Sequence, residues 1–158
     1  PMILGGYIRR PVRFVTYYKI YNMPVMHWIF RAAKAIPIAG YKEDPEMYER
    51  AFTEVRKALA EGDLVCIFPE GGLTPDGTIQ EFKGGLERII EETPVPVIPM
   101  ALTNLWGSLF SRKDKKLIDR RPRKFMAKIG INVGNPIAPE TVNRKMLQEM
   151  ITELKKDN

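Results

Sequence analysis

Hydrophobic and polar residues alternate along several short stretches of the chain, and this alternation predicts strands. Residues 11–17 and 125–133 alternate in this way. Residues 64–68 are a continuous apolar run instead, which favours a short buried strand. Residues 95–102 contain two prolines, so the strand expected there lies at a sheet edge or carries bulges.

Apolar residues at helical spacing separate these stretches. A helix is expected after Asn22, which can cap it, with Pro24 in its first turn. Asp44-Pro45 is typical of the start of a second helix, because a capping side chain precedes proline at the first helical position. A third helix is expected through residues 86–90, and residues 140–156 predict an amphipathic fourth.

The order of these elements predicts the fold class. Strands that alternate with helices indicate an α/β fold, here a single layer of largely parallel sheet flanked by helices. The chain has no internal repeat and no low-complexity tract, and its 158 residues are enough to bury a core. One domain over residues 1–158 is therefore expected.

Composition and charge narrow the choice of partners. Apolar residues make up 44% of the chain and charged residues 28%, as in an ordinary soluble globular protein. A net charge of +6 and a pI near 9.5 favour anionic partners: phosphorylated molecules, nucleic acid or an anionic membrane surface. Cys66 is the single cysteine, which excludes an internal disulfide, and no metal site is expected.

The most informative stretch follows the apolar run 64–68. Pro69 is expected to end that strand, because proline lacks an N–H for the ladder. Glu70 comes next, and Gly71 and Gly72 allow the backbone behind it to turn tightly. A carboxylate at the C-terminal end of a strand lies where α/β sheets bind ligands, so this stretch predicts the wall of an active site. The alternative is a plain turn with a solvated glutamate.

Three segments follow one another in a characteristic order: residues 36–38, then Phe68-Pro69-Glu70-Gly71, then residues 95–99. This series resembles the second, third and fourth sequence blocks of the glycerophospholipid acyltransferase family, of the lysophosphatidic-acid type. The resemblance implies a glycerolipid acyltransferase-like fold. It also implies transfer of an acyl group from a thioester to a hydroxyl of a glycerophosphate or lysophospholipid. The residues implied in substrate binding are Phe68, Pro69, Glu70, Gly71 and Gly72.

In that family a His-x-x-x-x-Asp motif supplies the general base, and its aspartate orients the histidine. The single histidine here is His27, and the residue five positions later is Ala32, not an acid. His27 also lies on an apolar helix face, so a packed histidine is expected rather than a base. No catalytic residue is assigned in this chain.

The chain begins with Pro1, without an initiator methionine. We therefore expect an N-terminally truncated piece of a longer membrane-associated protein, with the His-x-x-x-x-Asp block upstream of Pro1. Such a piece would be inactive by itself. A degenerate family member without activity is the alternative.

The third block departs from the family pattern after Gly71. The family often shows threonine and arginine where this chain has Gly72 and Leu73. That arginine is expected to help bind a substrate phosphate, so its absence favours a lysophospholipid with a larger head group. The pattern is similar to that of the 2-acylglycerophosphoethanolamine acyltransferase branch. Lys83 and Lys42 are the remaining candidates for a phosphate contact, with a solvated side chain as the alternative for each.

Residues 106–124 combine aromatic and aliphatic side chains with a run of basic residues. Such a combination suits a membrane interface, where apolar groups enter the headgroup layer and cations meet anionic lipid. A solvated charged loop, with Trp106 folded into the core, is the alternative. The candidate membrane-facing residues are Trp106, Leu109, Phe110, Arg112, Lys113, Lys115 and Lys116.

The resemblance implies an acyl donor, either acyl-carrier protein or a coenzyme A thioester, and no tightly bound cofactor. The expected acceptor is a lysophospholipid or acylglycerol phosphate. The expected location is the cytoplasmic face of the inner (plasma) membrane, peripheral or tethered. A catalytically inactive lipid-binding module and a basic nucleic-acid-binding module are the alternatives. No helix-turn-helix or zinc-ligand spacing is present, so no nucleic-acid partner is expected.

Overall fold

The chain divides into two units, the first made of residues 1–69 and 85–95 and the second of residues 70–84 and 96–158. The structure is a computed structural model, and it describes residues 8, 10–72, 78–103 and 130–156. Within these ranges, no helix is long and apolar enough to cross a bilayer.

The described sheet of the first unit has three parallel strands, β1 (Val12–Tyr17), β2 (Ile36–Ile38) and β3 (Leu64–Cys66). β1 lies in the centre and pairs with β2 on one side and β3 on the other. Because the strands are parallel, their C-terminal ends meet at one edge of the sheet. The α/β prediction is confirmed, as is the strand predicted over residues 11–17.

β3 is shorter and less buried than the sequence predicted. Its ladder ends at Cys66, so the prediction that Pro69 ends the strand is wrong. All three residues of β3 are half-buried, and Phe68 is 37% exposed. The physical reason is the position of the strand: β3 is at the edge of the described sheet, where a neighbour covers one side only.

Two short helices follow β1, namely α1 (Tyr18–Tyr21) and α2 (Pro24–Ala32). Pro24 is in the first turn of α2, as predicted. The prediction that Asn22 caps α2 is wrong, because Met23 is the N-cap and Asn22 is the C-cap of α1. The Asn22 N–H bonds back to the Tyr18 carbonyl at 2.9 Å, so its backbone belongs to the preceding turn.

α3 (Pro45–Ala60) packs on the sheet and supplies three of the four residues in a buried cluster of the first unit. Asp44 caps it as predicted, since its carboxylate accepts a hydrogen bond from the Met47 N–H at 2.9 Å. Gly62 follows the helix at φ +79°, a conformation in which glycine avoids a Cβ penalty. The buried cluster consists of Ile36, Ala51, Val55 and Ala58, with Leu59 half-buried against it.

α4 (Gly85–Glu92) completes the described part of the first unit. Arg88 joins it to α3, because its guanidinium donates to both carboxylate oxygens of Glu49, at 2.9 and 2.6 Å. A further hydrogen bond from Arg88 Nε reaches Glu92 at 2.9 Å. This bidentate pair holds the pKa of Glu49 below its usual value.

The second unit contains an antiparallel pair, β4 (Met100–Thr103) with β5 (Gly130–Val133). The predicted strand over residues 95–102 begins only at Met100, although Val97 forms an isolated bridge with Ile137. The predicted strand over 125–133 is confirmed for residues 130–133, and its first part lies outside the described residues.

After a 3₁₀ turn, Pro139–Thr141, α5 (Arg144–Lys156) packs on β4. It begins four residues later than the sequence predicted. The reason is Asn143, whose Oδ1 accepts a hydrogen bond from the Met146 N–H at 2.8 Å and so fixes the start of the helix. Leu147 is 1% exposed and anchors the helix in the core of the second unit.

Candidate functional site

The glutamate-glycine motif lines a cavity of about 630 Å³ in the second unit. Its walls are the turn after the motif, the segment before α4 and the first residue of α5. The lining residues are Glu70, Gly71, Gly72, Gln80, Glu81, Phe82, Lys83, Gly84 and Arg144.

Glu70 fixes two of these walls against each other. Its side chain is half-buried, and its Oε2 accepts a hydrogen bond from the Gln80 N–H at 2.9 Å. One backbone N–H occupies only part of a carboxylate, which has about four lone-pair sites. Glu70 can therefore accept further hydrogen bonds from a ligand in the cavity.

Gly71 lies directly beneath the Lys83 side chain. A Cβ built on Gly71 would be 2.7 Å from Lys83 Nζ and 2.9 Å from its Cδ and Cε. Gly71 also has φ +67°, which favours glycine for a second reason. At Gly72, by contrast, a Cβ would meet nothing within 4 Å. Gly71 therefore leaves room for the Lys83 side chain, whose flexible end lies against it.

Phe82 anchors the wall that carries Lys83. Its side chain is 3% exposed, and its N–H donates to Gln148 Oε1 on α5 at 3.2 Å. Arg144 is the first residue of α5 and brings a second cation to the cavity. The wall and the helix are therefore tied together on either side of the lysine.

Among the described residues that line the cavity, the charged ones are the cations Lys83 and Arg144 and the carboxylates Glu70 and Glu81. With none of the described residues does Lys83 form an ion pair. The Lys83 side chain is exposed, so a ligand can reach its ammonium group from solvent. A cation beside a carboxylate that still has lone pairs can hold a ligand with both a phosphate and a hydroxyl group.

The structure brings together four of the predicted substrate-binding residues, Glu70, Gly71, Gly72 and Lys83. Phe68 and Pro69 precede them in the chain and belong to the first unit. Lys42 is exposed on the loop after β2, also in the first unit. Leu73 and the membrane-facing candidates lie outside the described residues; those candidates are Trp106, Leu109, Phe110, Arg112, Lys113, Lys115 and Lys116.

Arg144 is a lining residue that the sequence prediction missed. Its only local signal is its place at the start of an amphipathic helix, which is ordinary for a surface arginine. The packing of α5 on β4 brings it to the motif, and no spacing along the chain reports that packing.

His27 packs as predicted. It is half-buried, and its ring lies edge-on to Tyr21 with the ring centroids 5.4 Å apart. Cys66 is not an activated nucleophile, because burial raises the pKa of its thiol to about 11.

A second polar cluster surrounds Glu43 in the first unit. The Glu43 carboxylate accepts hydrogen bonds from the Tyr17 hydroxyl at 3.0 and 2.9 Å and from the Tyr18 hydroxyl at 2.9 Å. Lys19 Nζ lies 2.8 Å from the same carboxylate and over both tyrosine rings. Hydrogen bonds from Lys19 and the two tyrosines lower the pKa of Glu43 to about 2.

Comparison with known proteins identifies a family. A family model described as acyltransferase matches residues 1–103. A protein of Mycoplasma pneumoniae named "Probable 1-acyl-sn-glycerol-3-phosphate acyltransferase" is 25% identical over 119 residues, which are 74% of this chain and 44% of that protein. A chloroplastic 1-acyl-sn-glycerol-3-phosphate acyltransferase of Brassica napus is 29% identical over 90 residues, 57% of this chain and 26% of that protein. The chain thus spans less than half the length of these relatives.

The fold has a solved counterpart. The crystal structure of the 1-acyl-sn-glycerophosphate acyltransferase PlsC from Thermotoga maritima superposes with a TM-score of 0.60 and 22% sequence identity. The match covers 90% of this chain and 55% of that one. At this identity, the likeness shows the fold.

Proposed function

The chain belongs to the acyltransferase family, and from that premise we propose that it transfers an acyl group to a glycerolipid acceptor. The acceptor is a lysophospholipid or acylglycerol phosphate, and the donor is an acyl thioester of acyl-carrier protein or coenzyme A. An ester C–O bond forms, the thioester C–S bond breaks, and the thiol leaves with the proton of the acceptor hydroxyl. The observation that carries the proposal is the Lys83 ammonium group above Gly71, in one cavity with the Glu70 carboxylate.

Each charged group in the cavity has a role in this reaction. Lys83 binds the acceptor phosphate as a point charge, and Arg144 adds hydrogen-bond donors beside it. Glu70 accepts a hydrogen bond from a glycerol hydroxyl and so orients the acceptor. Correct orientation of two reactants is itself a large part of such catalysis.

We further propose an acceptor with an amine in its head group, as in the 2-acylglycerophosphoethanolamine branch. Two features support it: Gly72 and Leu73 stand where the family often has threonine and arginine, and a second carboxylate, Glu81, lines the cavity beside the cations. A zwitterionic head group would place its phosphate near Lys83 and its ammonium near Glu81. The relatives named above are named for the smaller acylglycerol phosphate, so the two acceptors must be compared directly.

We assign the general base to a His-x-x-x-x-Asp block encoded before Pro1, since His27 packs against Tyr21 and is followed five positions later by Ala32. Residues 1–158 alone would then be inactive. The reading frame on the 5′ side of Pro1 tests this assignment. A frame without the block would refute it and favour an inactive lipid-binding module.

The acyl-transfer test uses the protein expressed from its complete reading frame. Labelled acyl-carrier protein and acyl-coenzyme A serve as donors, with lysophosphatidylethanolamine and lysophosphatidate as acceptors. We expect transfer to both acceptors, with a higher kcat/KM for lysophosphatidylethanolamine. Lys83→Met should lower kcat/KM roughly tenfold, mainly through the KM of the acceptor, whereas Lys42→Met at an exposed site serves as the matched control. Absence of transfer from both donors would refute the proposed function.

We propose the cytoplasmic face of the inner membrane as the place of the reaction, because the acceptor resides there. Cell fractionation tests this: the protein should sediment with inner membranes. Recovery in the soluble fraction at low salt would contradict it.

A further inference from the structure

Exposed apolar side chains concentrate on one part of the first unit. In the described ranges, nine large hydrophobic residues are exposed, and four of them lie on or between α1 and α2. Trp28 is the most exposed of the nine, at 76%. Scattered single residues of this kind are ordinary, whereas four within two consecutive short helices favour an interaction surface. The four are Ile20, Met23, Trp28 and Ile29, and we call them the α1–α2 face.

The sequence that forms this face is basic, although Glu43 from the loop after β2 pairs with Lys19 on α1. Residues 1–42 contain no aspartate or glutamate, although the whole chain has 19 acidic residues. On α2 and just after it, Arg31 and Lys34 are exposed, and neither forms an ion pair with a described residue. The seven basic residues of this stretch are Arg9, Arg10, Arg13, Lys19, Arg31, Lys34 and Lys42.

We propose that the α1–α2 face docks on an anionic bilayer surface. Trp28 and Ile29 would enter the headgroup layer, while Arg31 and Lys34 meet anionic lipid at its rim. Tryptophan has an amphipathic ring that suits this depth, and basic residues flank the apolar side chains of interfacial helices. Arg31 and Lys34, which pair with no described carboxylate, match a negatively charged partner.

This inference rests on the proposed function in one respect: an enzyme with a lipid acceptor has a reason to bind the bilayer that contains it. It does not require turnover, because vesicle binding is measured without an acyl donor. Failure of acyl transfer with intact vesicle binding would refute only the proposed reaction. Acyl transfer to detergent-dispersed acceptor with no vesicle binding would refute only the docking surface.

The first experiment uses the two tryptophans of the chain as separate reporters. Trp106→Phe leaves Trp28 as the emitter, and Trp28→Phe leaves Trp106. Vesicles contain phosphatidylcholine with about a third phosphatidylglycerol, with or without brominated acyl chains. We expect Trp28 emission to shift to shorter wavelength and to be quenched by the brominated lipid. Unchanged Trp28 emission, or quenching of Trp106 alone, would overturn the proposal and favour the basic run after Trp106.

The second experiment measures vesicle co-sedimentation of variants. The double variant Trp28→Ser with Ile29→Ser should weaken binding roughly tenfold, because both apolar side chains leave the interface. Ile98→Ser is the matched control, since Ile98 is 47% exposed in the second unit and should leave binding unchanged. Equal binding of the double variant and the wild type would overturn the proposal. Unfolding curves of the variants confirm that each is folded.

Charge variants separate the two contributions. Arg31→Gln and Lys34→Gln should each weaken binding to the anionic vesicles about fivefold and leave the weak binding to pure phosphatidylcholine unchanged. Loss of affinity that does not depend on lipid charge would contradict docking on anionic lipid. Sedimentation velocity completes the set: a dimer that the Trp28→Ser variant abolishes would assign the face to a second copy of the chain instead.

Discussion

Two glutamates of this protein, Glu43 and Glu70, show how differently one carboxylate group can be used. Glu43 accepts hydrogen bonds from two tyrosine hydroxyls and lies 2.8 Å from Lys19 Nζ. Glu70 has one hydrogen bond, from the Gln80 N–H, among the described residues. Lys83 lines the same cavity as Glu70 and forms no ion pair in the part of the chain that the structure describes.

The difference separates a structural carboxylate from one that can bind a ligand. The partners of Glu43 fill its lone-pair sites and join the end of β1 to the loop after β2. The Glu70 carboxylate keeps lone pairs that accept no hydrogen bond from a described residue. Its neighbours in the cavity include two cations. Substitution of Glu70 should change activity and not stability, whereas substitution of Glu43 should change stability and not activity.

The largest effect is expected at Gly71. Gly71→Ala places a Cβ 2.7 Å from Lys83 Nζ at a φ of +67°, so the lysine must move and the backbone is strained. The strained turn also carries Glu70, so both contacts with the acceptor are weakened together. Since the loss of either contact is expected to cost roughly tenfold, kcat/KM for acyl transfer should fall by up to about a hundredfold.

Gly72→Ala is the matched control for this substitution. A Cβ there meets nothing within 4 Å, so activity should be retained. Steady-state kinetics of the protein from its complete reading frame checks both variants. Equal loss in the two glycine variants would show that the turn, and not the position of Lys83, matters.

The next effect is expected when each glutamate is replaced by glutamine. Glu70→Gln should lower kcat/KM roughly tenfold and leave the Tm unchanged, because the amide keeps one oxygen to accept from the Gln80 N–H but replaces the other with a donor. Glu43→Gln should lower the Tm and leave kcat/KM nearly unchanged, since it breaks the contact with Lys19. A Glu43 variant with impaired turnover would contradict the structural role.

A third carboxylate, Asp44, provides a reference for purely local stabilisation. Asp44→Ala removes the acceptor of the Met47 N–H and should lower the free energy of unfolding by about 1 kcal/mol. Glu46→Ala, in the first turn of the same helix, is the control and should cost less. Urea unfolding measures both, and equal costs would argue against a capping contribution.

Local signals explain how much of this structure the sequence predicts. The alternation over residues 11–17 and the Asp44-Pro45 pair each act within one element, and both predictions are confirmed. The prediction that Asn22 caps α2 fails because α1 and α2 follow one another directly. A polar residue between them can cap the end of one helix or the start of the other. The Glu43 cluster joins residues that are distant in sequence, and it could not be predicted because the pairing of β1 with β2 creates it.

The candidate site shows the same limit. Three of its residues form the Glu70-Gly71-Gly72 motif, and Lys83 is the fourth that the sequence predicts. The resemblance to the acyltransferase blocks directs attention to this part of the chain. Arg144 reaches the cavity only through the packing of its helix. An arginine at the start of an amphipathic helix has the same neighbours in sequence whether it lines a cavity or faces solvent. Local composition therefore could not predict the position of Arg144.

The smallest effect is the pH dependence of stability that Glu43 contributes, which a comparison with Glu43→Gln isolates. Its folded-state pKa of about 2 lies below the ordinary value of 4.5, so ionisation stabilises the fold. This contribution is fully present above pH 4.5 and declines as the pH falls toward 2, because protonation then removes the ion pair with Lys19. The difference in Tm between wild type and Glu43→Gln should therefore narrow over that range. Thermal unfolding at several pH values measures it, and a constant difference would show that the tyrosine hydrogen bonds, rather than the charge, stabilise this loop.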